Sequence, residues 1–143
     1  MNVYRSKKSG QVIRNTYDRL LTQWGCEISE RDIPGSYGTT HVIECGRREA
    51  PPCILFHGVG DDSALMWIYN AEYLSRSFHL YAVDTLGGPG KSEPDARYNH
   101  AADPGVPCGN RHLAGGFSQN AIRRRFRMPK RRKQPVFLRT RVV

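Results

Sequence analysis

The forty residues from Cys53 to Ser92, CILFHGVGDDSALMWIYNAEYLSRSFHLYAVDTLGGPGKS, decide the fold. A short apolar run, Cys53 to Phe56, ends at a glycine-rich turn, and a second run, Leu80 to Val83, ends at a turn rich in Gly and Pro. Between the runs, apolar residues recur at helical spacing: Ala64, Leu65, Trp67, Ile68, Ala71 and Leu74. This order predicts an α/β fold with a parallel sheet, whose two loops lie at the carboxyl ends of strands.

Three features of this stretch together resemble one known family. The turn FHGVG at 56–60, Trp67 in the following helix and the passage YAVDTLGGPGKS at 81–92 resemble the third and fourth strands of an α/β-hydrolase, in its esterase-like branch. The resemblance covers roughly residues 11 to 99 and fails beyond Asn99. It implies the amino-terminal half of that sheet: a helix, an antiparallel β-hairpin, and two parallel strands joined by one crossover helix. The intact relative would be a serine hydrolase of esters or similar acyl compounds that needs no cofactor.

The residues before Cys53 are typical of the helix and hairpin. Apolar residues at steps of three and four predict an amphipathic helix from Gly10 to Trp24, with Ser9 as its cap and Gly25 after its end. Two strands follow, at 26–33 and 40–45, and the turn residues between them predict a hairpin.

Charge divides the chain into two parts. Residues 1 to 100 hold 11 Lys and Arg against 12 Asp and Glu, whereas residues 101 to 143 hold 11 against 1. We therefore expect a truncated α/β-hydrolase-like domain at 1–99 and a largely disordered basic tail at 100–143. The family's next crossover helix has no counterpart in the tail, so the third strand would have an unpaired edge. One hypothesis for the abrupt change is a shift of reading frame near Asn99.

Cysteines and apolar runs exclude several classes of protein. Cys26, Cys45, Cys53 and Cys108 show no C-x-x-C or His-paired spacing, which argues against a metal site. There is no secretory signal and no apolar run long enough to span a membrane. We expect reduced cysteines and a cytoplasmic protein.

Acyl transfer in the family needs a nucleophilic serine, a histidine, an acid and an oxyanion hole. The turn after the third strand suggests Gly58 and Val59 for the oxyanion hole, with the Val59 N–H as donor. The sequence contains no G-x-S-x-G motif. The nearest match, GFSQN at 116–120, makes Ser118 the candidate nucleophile and Gln119 a second oxyanion residue.

No convincing acid or base accompanies Ser118. They follow the serine in the family's chain order, and no Asp, Glu or His follows Ser118. The other ionisable residues are formal candidates without a supporting motif: Asp61, Asp62, His79, His100 and His112. His57 and Asp84 are also formal candidates, but we expect His57 to hydrogen-bond its loop, and Asp84 to bind the amides of the loop that contains Gly87, Gly90 and Ser92.

Two alternative readings concern phosphate. The stretch GGPGKS at 87–92 resembles the end of a P-loop, but Thr85 stands where the motif requires glycine, so a plain turn is favoured. The basic tail could bind nucleic acid or another anionic surface. Its cationic residues are Arg123, Arg124, Arg125, Arg127, Lys130, Arg131, Arg132 and Lys133. This non-enzymatic binding module is the alternative to a hydrolase and is less favoured.

Overall fold

The computed structural model describes residues 4–58 and 60–98, and the backbone of one further strand at 136–139. Three helices and six strands occur in these residues. In chain order they are α1 (Lys7–Leu21), β1 (Ile28–Gly35), β2 (Gly38–Cys45), β3 (Pro52–Phe56), α2 (Ser63–Trp67), α3 (Ala71–Ser75), β4 (His79–Val83), β5 (Glu93–Pro94) and β6 (Val136–Arg139). Within these residues, none of the helices has the length and apolar character of a membrane span.

The six strands form one mixed sheet in the order β1-β2-β4-β3-β6, with β5 added beside β2. β1 and β2 form an antiparallel hairpin in which Gly35 is opposite Gly38. β2 is also antiparallel to β4. β3 is parallel to β4, with Phe56 opposite Val83. The predicted α/β fold, with its amino-terminal helix, hairpin and parallel strands, is confirmed.

Two details of these elements differ from the sequence expectations. The single crossover helix is two short helices, α2 and α3. The third strand does not have a free edge, because β6 lies parallel to β3 with Cys53 opposite Val136. A strand at this place needs only backbone hydrogen bonds to β3, so the four residues VFLR are sufficient. The rest of the predicted tail lies outside the described residues.

The amino-terminal helix begins three residues earlier than predicted, and its cap is Ser6 and not Ser9. The Ser6 hydroxyl accepts from the Ser9 N–H at 3.1 Å, and the Ser9 hydroxyl accepts from the Ser6 N–H at 3.0 Å. Ser9 is therefore the third helical residue of a capping box, in which the two serines satisfy each other's backbone donors. Past the helix, Trp24 is buried and its indole N–H donates to the Ala64 carbonyl at 3.0 Å, which attaches α1 to α2.

The sheet has an apolar cluster on each face. One contains residues from all three helices packed on alternate strand residues, and its strand members include Ile43, Cys45, Cys53, Leu55, Leu80 and Ala82. The other consists of strand residues alone: Val42, Ile54, Tyr81 and Val83, with Ile33 and Phe56 against them. β3 and β4 are thus apolar on both faces, as expected for central parallel strands.

A chain of polar side chains lies at the edge of the second cluster. Arg31 forms an ion pair with Glu44 at 3.0 Å, and Glu44 faces His79 Nε2 at 2.8 Å. The Tyr81 hydroxyl is 3.0 Å from His79 Nδ1. A neutral imidazole satisfies both neighbours, because its Nε2–H donates to Glu44 and its Nδ1 accepts the Tyr81 hydroxyl hydrogen. Burial lowers the pKa of His79 and raises that of Tyr81 to about 12.

Two glycines with the same φ angle give a matched test of packing. Gly46 and Gly60 both have φ of +87°, which disfavours any other residue. A Cβ on Gly46 would lie 2.2 Å from the Phe78 carbonyl oxygen, whereas a Cβ on Gly60 would have no atom within 4 Å.

We expect Gly60→Ala to cost about 1 kcal/mol of unfolding free energy, the conformational penalty alone. Gly46→Ala should cost about 3 kcal/mol or more, because the overlap is with backbone that cannot rotate away. Urea unfolding of both variants measures the difference. Equal losses would show that the close approach of Phe78 to Gly46 is not present in solution.

The buried imidazole predicts a pH dependence of folding. The pKa of His79 is lowered from 6.5 in the folded protein, so below that pH the unfolded chain binds a proton that the native chain does not. The stabilising contribution of neutral His79 is complete above the pKa of the unfolded chain. It is lost as pH falls toward the pKa of the folded protein, at up to about 1.4 kcal/mol per pH unit.

His79→Gln removes the titration and keeps a polar side chain. We expect the difference in unfolding free energy between the parent protein and this variant to shrink as pH falls from 7.5 to 5.5. A difference that stays constant over this range would contradict neutral burial of His79.

Candidate functional site

Two loops meet where β3 and β4 end. Because Phe56 and Val83 are paired, the next residues of the two strands, His57 and Asp84, emerge side by side at the carboxyl edge of the sheet. Both are buried. This edge is where open α/β sheets place their ligand and catalytic groups.

His57 joins the two loops by hydrogen bonds from both of its ring nitrogens. The Thr85 N–H donates to Nε2 at 3.0 Å, and Nδ1 lies 2.8 Å from the Gly58 carbonyl oxygen. Since an N–H must point at Nε2, this nitrogen is the acceptor, and Nδ1 carries the hydrogen that is donated to Gly58. The imidazole therefore has no free lone pair with which to take a proton from a nucleophile.

The Asp84 carboxylate holds the second loop to the start of α2. One oxygen accepts the Ser63 N–H at 2.9 Å, and the other accepts the Lys91 N–H at 2.8 Å. The side chain has no solvent exposure. Backbone donors are the usual partners that stabilise a buried carboxylate.

Gly90 and Ser92 fit closely around Asp84. A Cβ on Gly90 would lie 2.2 Å from the Asp84 carboxyl carbon, so this position has room only for glycine. The Ser92 hydroxyl donates to the Asp84 carbonyl at 2.8 Å and accepts the His41 N–H at 2.8 Å. The Ser92 side chain thereby links the backbone of β2 to the backbone at the end of β4. Gly87, with φ of +78°, supplies the left-handed turn before it.

Two tyrosines that the sequence analysis missed support the same loop. The Tyr4 hydroxyl donates to the Gly90 carbonyl and the Tyr98 hydroxyl to the Leu86 carbonyl, each at 2.7 Å. They belong to segments before α1 and after β5, and no local motif links either segment to the loop.

Lys91 points away from the site. Its ammonium lies 2.5 Å from Asp18 and 2.5 Å from Glu30, and 4.8 Å from the centre of the Tyr17 ring. These partners neutralise its charge at the surface, whereas a P-loop lysine reaches a phosphate. Burial, and secondly the charge of Asp84, raise the pKa of Tyr17.

The predicted site residues are only partly brought together. Gly58 lies in the turn beside His57, but Val59, Ser118 and Gln119 lie outside the described residues. Asp62 caps α2, with one oxygen accepting the Leu65 N–H at 2.8 Å. His79 is at the amino end of β4, the opposite end from His57.

The remaining formal candidates give no catalytic arrangement. His100 and His112 lie outside the described residues. Asp61 follows Gly60 in the turn, where it is partly exposed. In the part of the chain that the structure describes, no three His, Cys, Asp or Glu side chains are grouped as metal ligands.

Removing the charge of Asp84 tests how the loops are held. Asp84→Asn keeps the size of the side chain but replaces one acceptor oxygen by a donor, which would face an amide N–H. We expect a loss of about 3 kcal/mol in unfolding free energy, measured by urea denaturation. Glu72→Gln is the control, because its exposed ion pair with Arg76 contributes little. Similar losses for both variants would contradict the role of Asp84.

Comparison with known proteins identifies a carboxylesterase as a relative of this chain. No protein-family model matches the chain. Carboxylesterase YbfK of Bacillus subtilis is 36% identical over 100 residues, which are 70% of this chain and 33% of that protein. The chain therefore spans about a third of the length of this relative.

Solved structures agree with the sequence relatives. The crystal structure of carboxylesterase CesB (YbfK) from B. subtilis has a TM-score of 0.59 at 37% identity, over 62% of this chain and 31% of that one. Naproxen esterase from B. subtilis has a TM-score of 0.60 at 32% identity, over 65% and 32%. With the sheet and its two loops, these matches show that the amino-terminal part of the chain belongs to the α/β-hydrolase superfamily, in its esterase-like branch.

Proposed function

We propose that this chain supplies the amino-terminal part of a serine hydrolase that acts on esters or similar acyl compounds. The observation that carries the proposal is the His57-Gly58 turn, which leaves the end of β3 and is braced by the Thr85 amide. A turn held in this way presents the next backbone amides over the sheet edge, where an acyl oxygen would lie. The relatives named as carboxylesterases support ester chemistry.

The role proposed for the turn is electrostatic. The N–H groups of Gly58 and Val59 would stabilise the oxyanion of an acyl transition state, with Gln119 as the second residue of the hole. His57 would set the turn's geometry and would not transfer protons, because both of its ring nitrogens are hydrogen-bonded within the loops. Asp84 would likewise set the geometry of the second loop, through the amides that its carboxylate accepts.

We further propose that the 143-residue chain by itself does not turn over esters. Its residues include no G-x-S-x-G motif, and no Asp, Glu or His follows Ser118. An oxyanion site without a base and an activated nucleophile leaves only a small part of the rate enhancement of a triad enzyme.

A second candidate function is binding to phosphate backbones through the basic tail. The observation that favours it is the excess of Lys and Arg in residues 101–143, where a single acidic residue stands against 11 basic ones. Such binding would be indifferent to base sequence and would weaken steeply as salt rises.

One preparation tests both functions. We expect the purified chain to hydrolyse p-nitrophenyl acetate and butyrate no faster than Ser118→Ala, and both no faster than heat-denatured protein. In parallel, the same preparation is tested for an electrophoretic mobility shift of single- and double-stranded oligonucleotides across a salt series.

Turnover that is lost in Ser118→Ala would contradict the proposed inactivity and would make Ser118 the nucleophile. A salt-sensitive shift that disappears when Arg123, Arg124 and Arg125 are changed to Gln would favour the binding module. In that case the amino-terminal domain would be a scaffold for the tail.

A further inference from the structure

A cavity lies at the opposite end of the sheet from His57 and Asp84. It has a volume of about 490 Å³ and is lined by residues at the base of the hairpin and by His79, the first residue of β4. Cys26 and Cys45 both line it. Neither is in a disulfide, and Cys26 is partly exposed while Cys45 is buried.

The two thiols lie at the base of the hairpin, where they line the same cavity. Ile28, the first residue of β1, is opposite Cys45, and Cys26 stands two residues before Ile28, just beyond the paired strands. Cys45 belongs to the apolar core cluster, and Cys26 packs against that cluster. The sequence spacing of 19 positions gave no sign of this pairing, because it arises from a hairpin and not from a short motif.

We propose that Cys26 and Cys45 are an oxidisable pair that hydrogen peroxide converts to an intramolecular disulfide. The Cys26 thiolate attacks one peroxide oxygen, the O–O bond breaks, and Cys26 becomes a sulfenic acid with release of water. The Cys45 sulfur then attacks the Cys26 sulfur, the S–O bond breaks, and a second water leaves. Two thiols are oxidised by two electrons, and one peroxide is reduced to two waters.

The environments of the two residues assign the order of these steps. Cys26 reaches solvent through the cavity and can meet the oxidant. Burial, and secondly the neighbouring Cys26, raise the pKa of Cys45, so Cys45 reacts poorly with dissolved oxidant and acts as the resolving thiol.

Cys53 is the internal control for proximity. It is buried in the same core cluster as Cys45, and burial raises its pKa to about 11. Cys45 and Cys53 both pair with Leu80 of the intervening strand β4. They are therefore two strand spacings, or about 9.6 Å, apart, which is beyond the reach of a disulfide.

The test uses the full chain carrying Cys108→Ala, which leaves three cysteines on three different tryptic peptides, 20–31, 32–47 and 49–76. After mild peroxide treatment, we expect the intact chain to be lighter by two hydrogen atoms. Alkylation and digestion should then give a cross-link between peptides 20–31 and 32–47, with the alkyl group on peptide 49–76. The Tm should rise by about 10 °C and return after reduction.

Single substitutions in the same background separate proximity from general oxidation. Cys53→Ala should form the cross-link at the parent rate, and Cys26→Ala and Cys45→Ala should not form it. A cross-link that includes peptide 49–76, a disulfide between two chains, or addition of oxygen to Cys26 without a cross-link would each overturn the proposal. Peptide mapping of the parent alone gives a decision even if a variant does not fold.

Discussion

The geometry of the candidate site depends on one buried carboxylate. Asp84 stands where β4 ends and accepts an amide from the start of α2 and another from the following loop. A carboxylate without solvent contact is stable only when such donors replace its hydration. The loops after β3 and β4 are consequently held to each other through α2 and through His57, and neither can move alone.

The sheet explains why this carboxylate can be so deeply buried. β3 and β4 are apolar on both faces, with helices over one and a separate cluster of strand residues on the other. Polar groups are therefore confined to the two ends of the central strands. At the carboxyl end they form the His57 and Asp84 loops, and at the amino end they form the pair of Glu44 and His79 beside the cavity of Cys26 and Cys45.

Local patterns in the sequence were sufficient to predict most of the strands and the amino-terminal helix. The runs at 53–56 and 80–83 are continuous and end at turn residues, so β3 and β4 were located to within one residue. Ser6 and Ser9 were harder to distinguish, because both serines contribute to the same capping box. β6 was missed, because a short apolar run becomes a strand only by pairing with a distant partner. The same holds within the site, since bonds from Tyr4, Ser63 and Tyr98 join segments that are far apart in sequence.

The pairing of β6 with β3 has a consequence for chain entropy. Cys53 and Val136 are about 80 positions apart, whereas Gly35 and Gly38 of the hairpin are separated by a two-residue turn. Closing a longer ring of chain costs more conformational entropy before any contact compensates it. Among the strand pairs in the order β1-β2-β4-β3-β6, the pair of β3 and β6 therefore closes the longest ring, and the outermost parallel strand is the one most easily released.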